Sequence, residues 1–154
     1  MPSPPPVGSV APDFTLPSTA GQDITLSSFR GKQAVLIAFF PLAFTSTCTA
    51  ELCAFNEDYD QFASKDVAIL PISVDSTATL SEFRKKLGLE THLASDFKRV
   101  VSTLYGVLLE DRFYAGRSYF LVDKRGIVRW AFVEEKQGNR RENSEILTQI
   151  AALT

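Results

Sequence analysis

Cys48 is the residue of this chain best placed to do chemistry. It follows the apolar run Ala34–Phe40 and the loop Pro41–Thr47, and it opens a segment of helical periodicity. The first N–H groups of a helix have no intrahelical acceptor, and the helix dipole favours an anion beside them. Thiols at helix starts ionise readily, and the thiolate is the nucleophile. The competing reading is a small buried hydrophobe, the common fate of a lone cysteine. A second cysteine, Cys53, lies five positions further along the same expected helix. In a wound helix that spacing offsets two residues by about 140° and separates their Cα atoms by roughly 8–9 Å. A disulfide spans about 4.4–6.8 Å, so the two sulfurs bond only if the helix unwinds. No Cys-x-x-Cys is present, and His92 has no partner cysteine implied by its position, so it reads as a surface or strand-edge residue. Two cysteines and one histidine also cannot fill a tetrahedral zinc site unaided.

The elements around Cys48 follow from periodicity. Ala34–Phe40 is a continuous run of branched and aromatic residues, as in a strand buried on both faces. From Cys48 to about Ala63, Leu52, Phe55, Tyr59 and Phe62 recur at helical spacing with Glu51, Asn56, Glu57, Asp58 and Asp60 between them, predicting one amphipathic helix. Val67–Val74 is a second strand, and Pro71 within it predicts an edge or an irregularity. A helix capped by Ser76 or Thr77 carries Leu80, Phe83 and Leu87 and stops at Gly88. A shorter helix is expected from Lys98 to Tyr105. Ser118–Asp123 and Ile127–Val133 form a hairpin about Asp123-Lys-Arg-Gly126, and a terminal helix runs from about Glu142 to Leu153. An earlier hairpin pairs Phe14–Leu16 with Ile24–Leu26 through the turn at Ala20-Gly21-Gln22, and residues 1–7 form an extended arm with Pro4-Pro5-Pro6 in polyproline geometry. A crossover helix makes the first two long strands parallel, whereas the later hairpin is antiparallel. The α/β class that results is a mixed central sheet flanked by helices, the thioredoxin-like fold, with an N-terminal β-hairpin.

Composition narrows the function. With 154 residues and 45% hydrophobic content, the expectation is one domain over residues 1–154 with a core that needs no staples. The formal charge of −2 gives no electrostatic footprint for nucleic acid or an anionic membrane. The longest apolar stretch is too short to span a bilayer and is interrupted by Pro41. No secretory signal is visible at the N-terminus, so the expected location is cytoplasmic.

Pro41, Thr45 and Cys48 form Pro-x-x-x-Thr-x-x-Cys, and Arg117 opens the later strand Arg-Ser-Tyr-Phe-Leu-Val-Asp. In these residues the chain resembles the peroxiredoxin family. Phe39–Cys48 and Gly116–Arg129 are most similar to the alkyl hydroperoxide reductase E branch, and Cys48–Phe55 resembles the bacterioferritin-comigratory, or Q-type, branch. The resemblance implies a thiol peroxidase acting on hydrogen peroxide and organic hydroperoxides, with no metal or organic cofactor. Cys48 would attack the peroxide while Arg117, which stays charged, stabilises the thiolate. Thr45 would offer its hydroxyl oxygen, Pro41 would stiffen the loop, and the first-turn amides would hold the O–O pair. Thr47 and Phe44 would support the substrate site, Phe44 as an apolar wall or as core. Glu51 and Arg129 would form a secondary pair that positions Arg117. Each has a plainer alternative: a cap or turn for Thr45, strand-ending punctuation for Pro41, a solvated charge for Arg117, and a helix-dipole partner for Glu51.

For the second cysteine, the Q-type resemblance implies that Cys53 attacks a Cys48 sulfenic acid to give an intramolecular disulfide. A thioredoxin-like dithiol protein would then reduce that disulfide. The alternative is a buried helix residue at Cys53, with an external thiol reducing the sulfenic acid. A peroxide sensor that relays oxidation to a partner, or a redox-responsive binding module, shares the first step. Monomer and homodimer both fit the surface composition.

Overall fold

The computed structural model describes residues 2–153; Met1 of the expected arm and Thr154 lie outside the described residues. At its centre is strand β3 (Ala34–Phe39), whose six residues are all buried. Its side chains alternate between two cores. Ala34, Leu36 and Ala38 face one cluster, and Val35, Ile37 and Phe39 face the other. A continuous apolar run is what a strand covered on both sides requires.

Strand β3 pairs in parallel with β4 (Val67–Ser73) and antiparallel with β8 (Ser118–Val122). With β5 (Ala94–Ser95) beyond β4, and β9 (Val128–Val133) beyond β8, the five-stranded mixed sheet has the order β5-β4-β3-β8-β9. The thioredoxin-like class expected from the sequence is the one observed. One face is covered by α1 (Ser46–Glu57), α2 (Tyr59–Ser64), α3 (Thr77–Leu87) and α5 (Asn143–Ala151), through Leu52, Phe55, Phe62, Leu80, Phe83, Ile146 and Ile150. The opposite face carries the N-terminal hairpin β1–β2 (Thr15–Leu16 with Ile24–Thr25), α4 (Val100–Leu104) and residues flanking the small hairpin β6–β7 (Leu108–Leu109 with Tyr114–Ala115).

Several local expectations change. Strand β4 is not at the sheet edge, but its outer neighbour β5 pairs only with Ile72 and Ser73. Pro71, opposite Ala38 of β3, therefore has no ladder partner on its outer side, where its missing N–H costs nothing. The helix expected over Cys48–Ala63 starts two residues earlier and breaks at Asp58. There the Asn143 amide donates to both the Ala54 carbonyl and the Asp58 carboxylate, each at 2.8 Å, and Gln61 donates to Asp58 at 2.9 Å. These side-chain bonds give the backbone an alternative to a continuous helix. The helix expected over Lys98–Tyr105 is shortened to five residues, because Arg99 adopts a left-handed φ of 62°. Helix α3 is capped by Ser76, which accepts from the Thr79 amide, and ends at Gly88 with φ 65°. Residues of the N-terminal arm pack on Gly106, where a Cβ would stand 2.5 Å from the Pro2 carbonyl oxygen.

Candidate active site

The site lies where β3 ends and α1 begins. Thr45 is the extended residue before α1, and its carbonyl accepts from the Thr49 amide at 2.9 Å, the first helical bond. The amides of residues 46–48 thus point out of the open helix end. Cys48, the third helical residue, is buried, and with Thr45, Ser46 and Thr47 it lines the pocket at this end. Cys48, Glu51, Leu52 and Phe55 form the buried stripe of α1 at the i, i+3, i+4, i+7 spacing. Glu51 therefore lies on the inward face, not on the polar face where its neighbours placed it.

Arg117 reaches the sulfur from the start of β8, 69 positions away in sequence. Its Nη2 donates to Cys48 Sγ at 3.1 Å, and its Nη1 donates to Glu51 Oε1 at 2.8 Å. Both side chains of this ion pair are at most 2% exposed. Arg117 Nε and Nη2 also donate to the Gln137 carbonyl, at 3.2 and 3.1 Å, and the Arg117 amide donates to Gln137 Oε1 at 2.6 Å. The second Glu51 oxygen accepts from the Tyr119 hydroxyl, which itself accepts from the Arg141 amide at 3.0 Å.

Burial pushes the Glu51 carboxyl above its ordinary value, although Arg117 and Tyr119 favour its charge. Burial also opposes the charge on Arg117, but Glu51 and the Cys48 sulfur outweigh it and raise its pKa. Tyr119 is pushed up by burial and then by Glu51, so it stays protonated and remains a donor.

The loop Pro41–Thr47 closes the other side. The Thr45 hydroxyl donates to the Leu42 carbonyl at 2.7 Å, which commits its proton and leaves its oxygen lone pairs free to accept. The Ala43 amide donates to Asp75 Oδ2 at 2.8 Å, and Ser73 Oγ donates to the same oxygen at 2.7 Å. Pro41, Thr45, Thr47, Cys48, Tyr114, Arg117 and Gln137 line one pocket of about 170 Å³. A water occupies about 30 Å³ of liquid, so a small hydroperoxide fits this space.

Three expected residues stand elsewhere. Phe44, at φ 70°, does not line the pocket; its half-exposed ring packs on Phe83 at 5.0 Å between ring centres, with Lys86 Nζ over the ring at 5.7 Å from its centre. Arg129 does not pair with Glu51. It sits at the far end of β9, on the outward side of the strand, where Nη1 donates to Asp123 Oδ2 at 3.2 Å. There it helps line a separate groove of about 740 Å³ that holds neither cysteine. The pleat explains this: Val128 is buried and its neighbour Arg129 points outward. Cys53 is half-buried and off the Cys48 stripe, and both cysteines are free thiols within one wound helix. His92 is paired with Thr19 Oγ1 at 2.9 Å instead of with a cysteine.

The sequence reading missed Gln137, Tyr119 and Asp75. Tyr119 had a usable signal, since a tyrosine inside an otherwise apolar buried strand needs a partner for its hydroxyl. Gln137 lies in an irregular polar loop, where nothing in the pattern distinguishes it.

Fold and site together define a thioredoxin-fold protein with a buried cysteine–arginine pair opening into a small pocket. The AhpC/TSA family model matches residues 7–131, and the chain belongs to that family. It is 40% identical over 151 residues to alkyl hydroperoxide reductase E of Mycobacterium tuberculosis, covering 96% of this chain and 97% of that protein. Among solved structures, the reduced 2-Cys peroxiredoxin of Plasmodium vivax superposes with a TM-score of 0.89 at 32% identity, over 97% of this chain and 82% of that one. Peroxidoxin BcpB of Mycobacterium tuberculosis superposes with a TM-score of 0.86 at 26% identity, over 96% and 97% of the two chains.

Proposed function

We propose that this peroxiredoxin is a thiol peroxidase whose nucleophile is Cys48, acting on hydrogen peroxide and small organic hydroperoxides. The observation that carries the assignment is the Arg117 Nη2 to Cys48 Sγ contact of 3.1 Å at the floor of the 170 Å³ pocket. The Cys48 thiolate attacks one peroxide oxygen, the O–O bond breaks, and the leaving alkoxide or hydroxide takes a proton. Cys48 becomes a sulfenic acid and the peroxide becomes an alcohol or water. Arg117 stays charged throughout and faces both the sulfur and the developing negative charge. The Thr45 oxygen accepts from the peroxide O–H, and the amides of residues 46–48 face the departing oxygen. Pro41 shapes the wall without presenting a competing N–H.

The Cys53 thiol then attacks the sulfenic sulfur, releasing water and forming a disulfide after the first turns of α1 unwind. A thioredoxin-like dithiol in the cytoplasm returns both thiols, and the enzyme works as a monomer or homodimer. The intact helix between the cysteines favours one competing route, direct reduction of the sulfenic acid by an external thiol. The test is rapid-mixing oxidation of wild type, Cys48→Ser and Cys53→Ser by one equivalent of peroxide, followed by a thiol count. Cys48→Ser is expected to lose the reaction. Cys53→Ser is expected to react at the wild-type rate but stop at a trappable sulfenic acid. Peroxide consumption that survives Cys48→Ser overturns the assignment, and one thiol persisting in wild type overturns the role of Cys53.

A further inference from the structure

Three strand ends meet at the edge of the sheet that carries the site. The parallel pair β3–β4 brings its C-terminal ends together there, with Phe39 opposite Ile72, and the antiparallel β8 starts beside them, just after Arg117. Arg117 serves the sulfur. Asp75, two residues beyond the end of β4, reaches the loop on the other side. Its Oδ2 accepts from the Ala43 amide at 2.8 Å and from Ser73 Oγ at 2.7 Å, so two donors converge on one oxygen. Among the described residues, the Ala43 amide is the one within Pro41–Thr45 that is bound to a side chain.

The carboxylate is aimed from beneath. Ser73 and Ser95, the last residues of β4 and β5, are paired in register and buried. A buried hydroxyl is costly unless it is hydrogen-bonded, and both of these are committed to Asp75. Ser73 Oγ donates to the carboxylate and accepts from the Asp75 amide at 3.2 Å, while Ser95 Oγ donates to the Asp75 carbonyl at 2.6 Å. The Asp96 amide donates to the Ser73 carbonyl at 2.7 Å, which ties this base to the start of α4, where Asp96 accepts from the Val101 and Ser102 amides.

The Ala43 N–H and the Leu42 carbonyl belong to one peptide unit, which is planar and rigid. Asp75 holds the N–H side of that plane, and the carbonyl side accepts the Thr45 hydroxyl at 2.7 Å. Fixing the first therefore orients the second. Hydrogen bonds in such a chain also polarise one another, so a carboxylate at one end makes the Thr45 oxygen at the other a better acceptor.

We propose that Asp75 is a positioning residue for peroxide reduction, acting through the Leu42–Ala43 peptide plane to hold the Thr45 oxygen where the peroxide O–H meets it. The inference rests on the reading that Cys48 attacks peroxide. Asp75 is not part of the pocket lining.

The test is single-turnover oxidation by hydrogen peroxide of the Cys53→Ser chain, alone and combined with Asp75→Ala, Asp75→Asn, Thr45→Val, or Asp75→Ala together with Thr45→Val. Asp75→Ala is expected to slow the reaction about tenfold, the scale of one hydrogen bond to a charged group. Asparagine offers one oxygen to the same two donors without the charge, so Asp75→Asn should stay within about threefold of the parent. Because the effect runs through Thr45, adding Asp75→Ala to Thr45→Val should change the rate by less than about twofold. Alkylation of Cys48 by iodoacetamide uses the thiolate but brings no O–H for Thr45 to receive, and it should proceed at the parental rate in Asp75→Ala. The positioning role is overturned if Asp75→Ala reacts with peroxide as fast as the parent, if its loss multiplies with that of Thr45→Val, or if alkylation slows equally. An asparagine no better than alanine overturns it too. If the Cys53→Ser parent itself leaves peroxide unconsumed, the reading of Cys48 falls and takes the inference with it.

Discussion

The β8–β9 hairpin carries an arginine near each end, and the two arginine–carboxylate pairs have the same chemistry in opposite surroundings. Arg117 and Glu51 meet at 2.8 Å with side chains 1% and 2% exposed. Arg129 and Asp123 meet at 3.2 Å with side chains 43% and 12% exposed. The first pair joins α1 to the sheet across 66 positions, and its arginine also holds a sulfur and a loop carbonyl. The second spans six positions and closes a turn. A buried pair is costly to break because each orphaned charge loses both partner and water, whereas an exposed one is screened by solvent. Burial and the arginine's other contacts decide which pair can tune a reactive atom.

Glu51→Ala should have the largest effect on the contrast. It leaves Arg117 short of a counterion and the Tyr119 hydroxyl without an acceptor, at a cost of about 3–5 kcal/mol in urea unfolding. A loss under about 1 kcal/mol would place this pair in the exposed class. At the same end, Thr45→Val removes the free oxygen of the pocket and should slow peroxide reduction about tenfold without affecting stability to that extent. Initial rates at limiting peroxide give the answer, and an unchanged rate removes Thr45 from substrate contact.

At the far end, the smaller effects concern acid sensitivity. Burial works against the Asp123 charge, but the Ile127 and Arg125 amides, with Arg129, outweigh it and hold this carboxyl below the ordinary aspartate value. A carboxyl lowered on folding stabilises above its unfolded pKa, and that contribution is lost as pH falls through the folded value. Asp123→Asn should therefore flatten the acid limb of the stability profile by less than about 1 kcal/mol. Arg129→Ala should change stability by no more than about 0.5 kcal/mol and leave peroxide reduction unaltered. A slowed reaction in that variant would return Arg129 to the site.

The fold was legible where burial is continuous. The run Ala34–Phe40 suits a strand covered on both faces, and one forms over Ala34–Phe39; the hairpin at Asp123–Gly126 was signalled by its turn residues. Strands β5, β6 and β7 were not legible, because two residues carry no periodicity and their pairing is fixed by tertiary contacts. The break at Asp58 depends on Asn143, 85 positions later, which no local pattern reveals. At the site, the residue types of Cys48, Thr45 and Arg117 and their family spacing were enough to bring them together on paper. Glu51 had two readings, a residue that positions Arg117 and a helix-dipole partner; its burial was not legible, because only a cation and a phenol beneath the helix make it tolerable. Gln137 acts largely through its backbone carbonyl, which every residue type possesses, so its identity carried little signal.

The most direct measurement is the single-turnover oxidation of Cys48 in a Cys53→Ser background, with and without Arg117→Met, followed by trapping of the sulfenic acid. If the buried guanidinium activates the sulfur and steadies the departing oxygen, the methionine variant should react about 10²–10³-fold more slowly. Equal rates in the two proteins would contradict the account, because the 3.1 Å contact would then be packing without catalytic consequence.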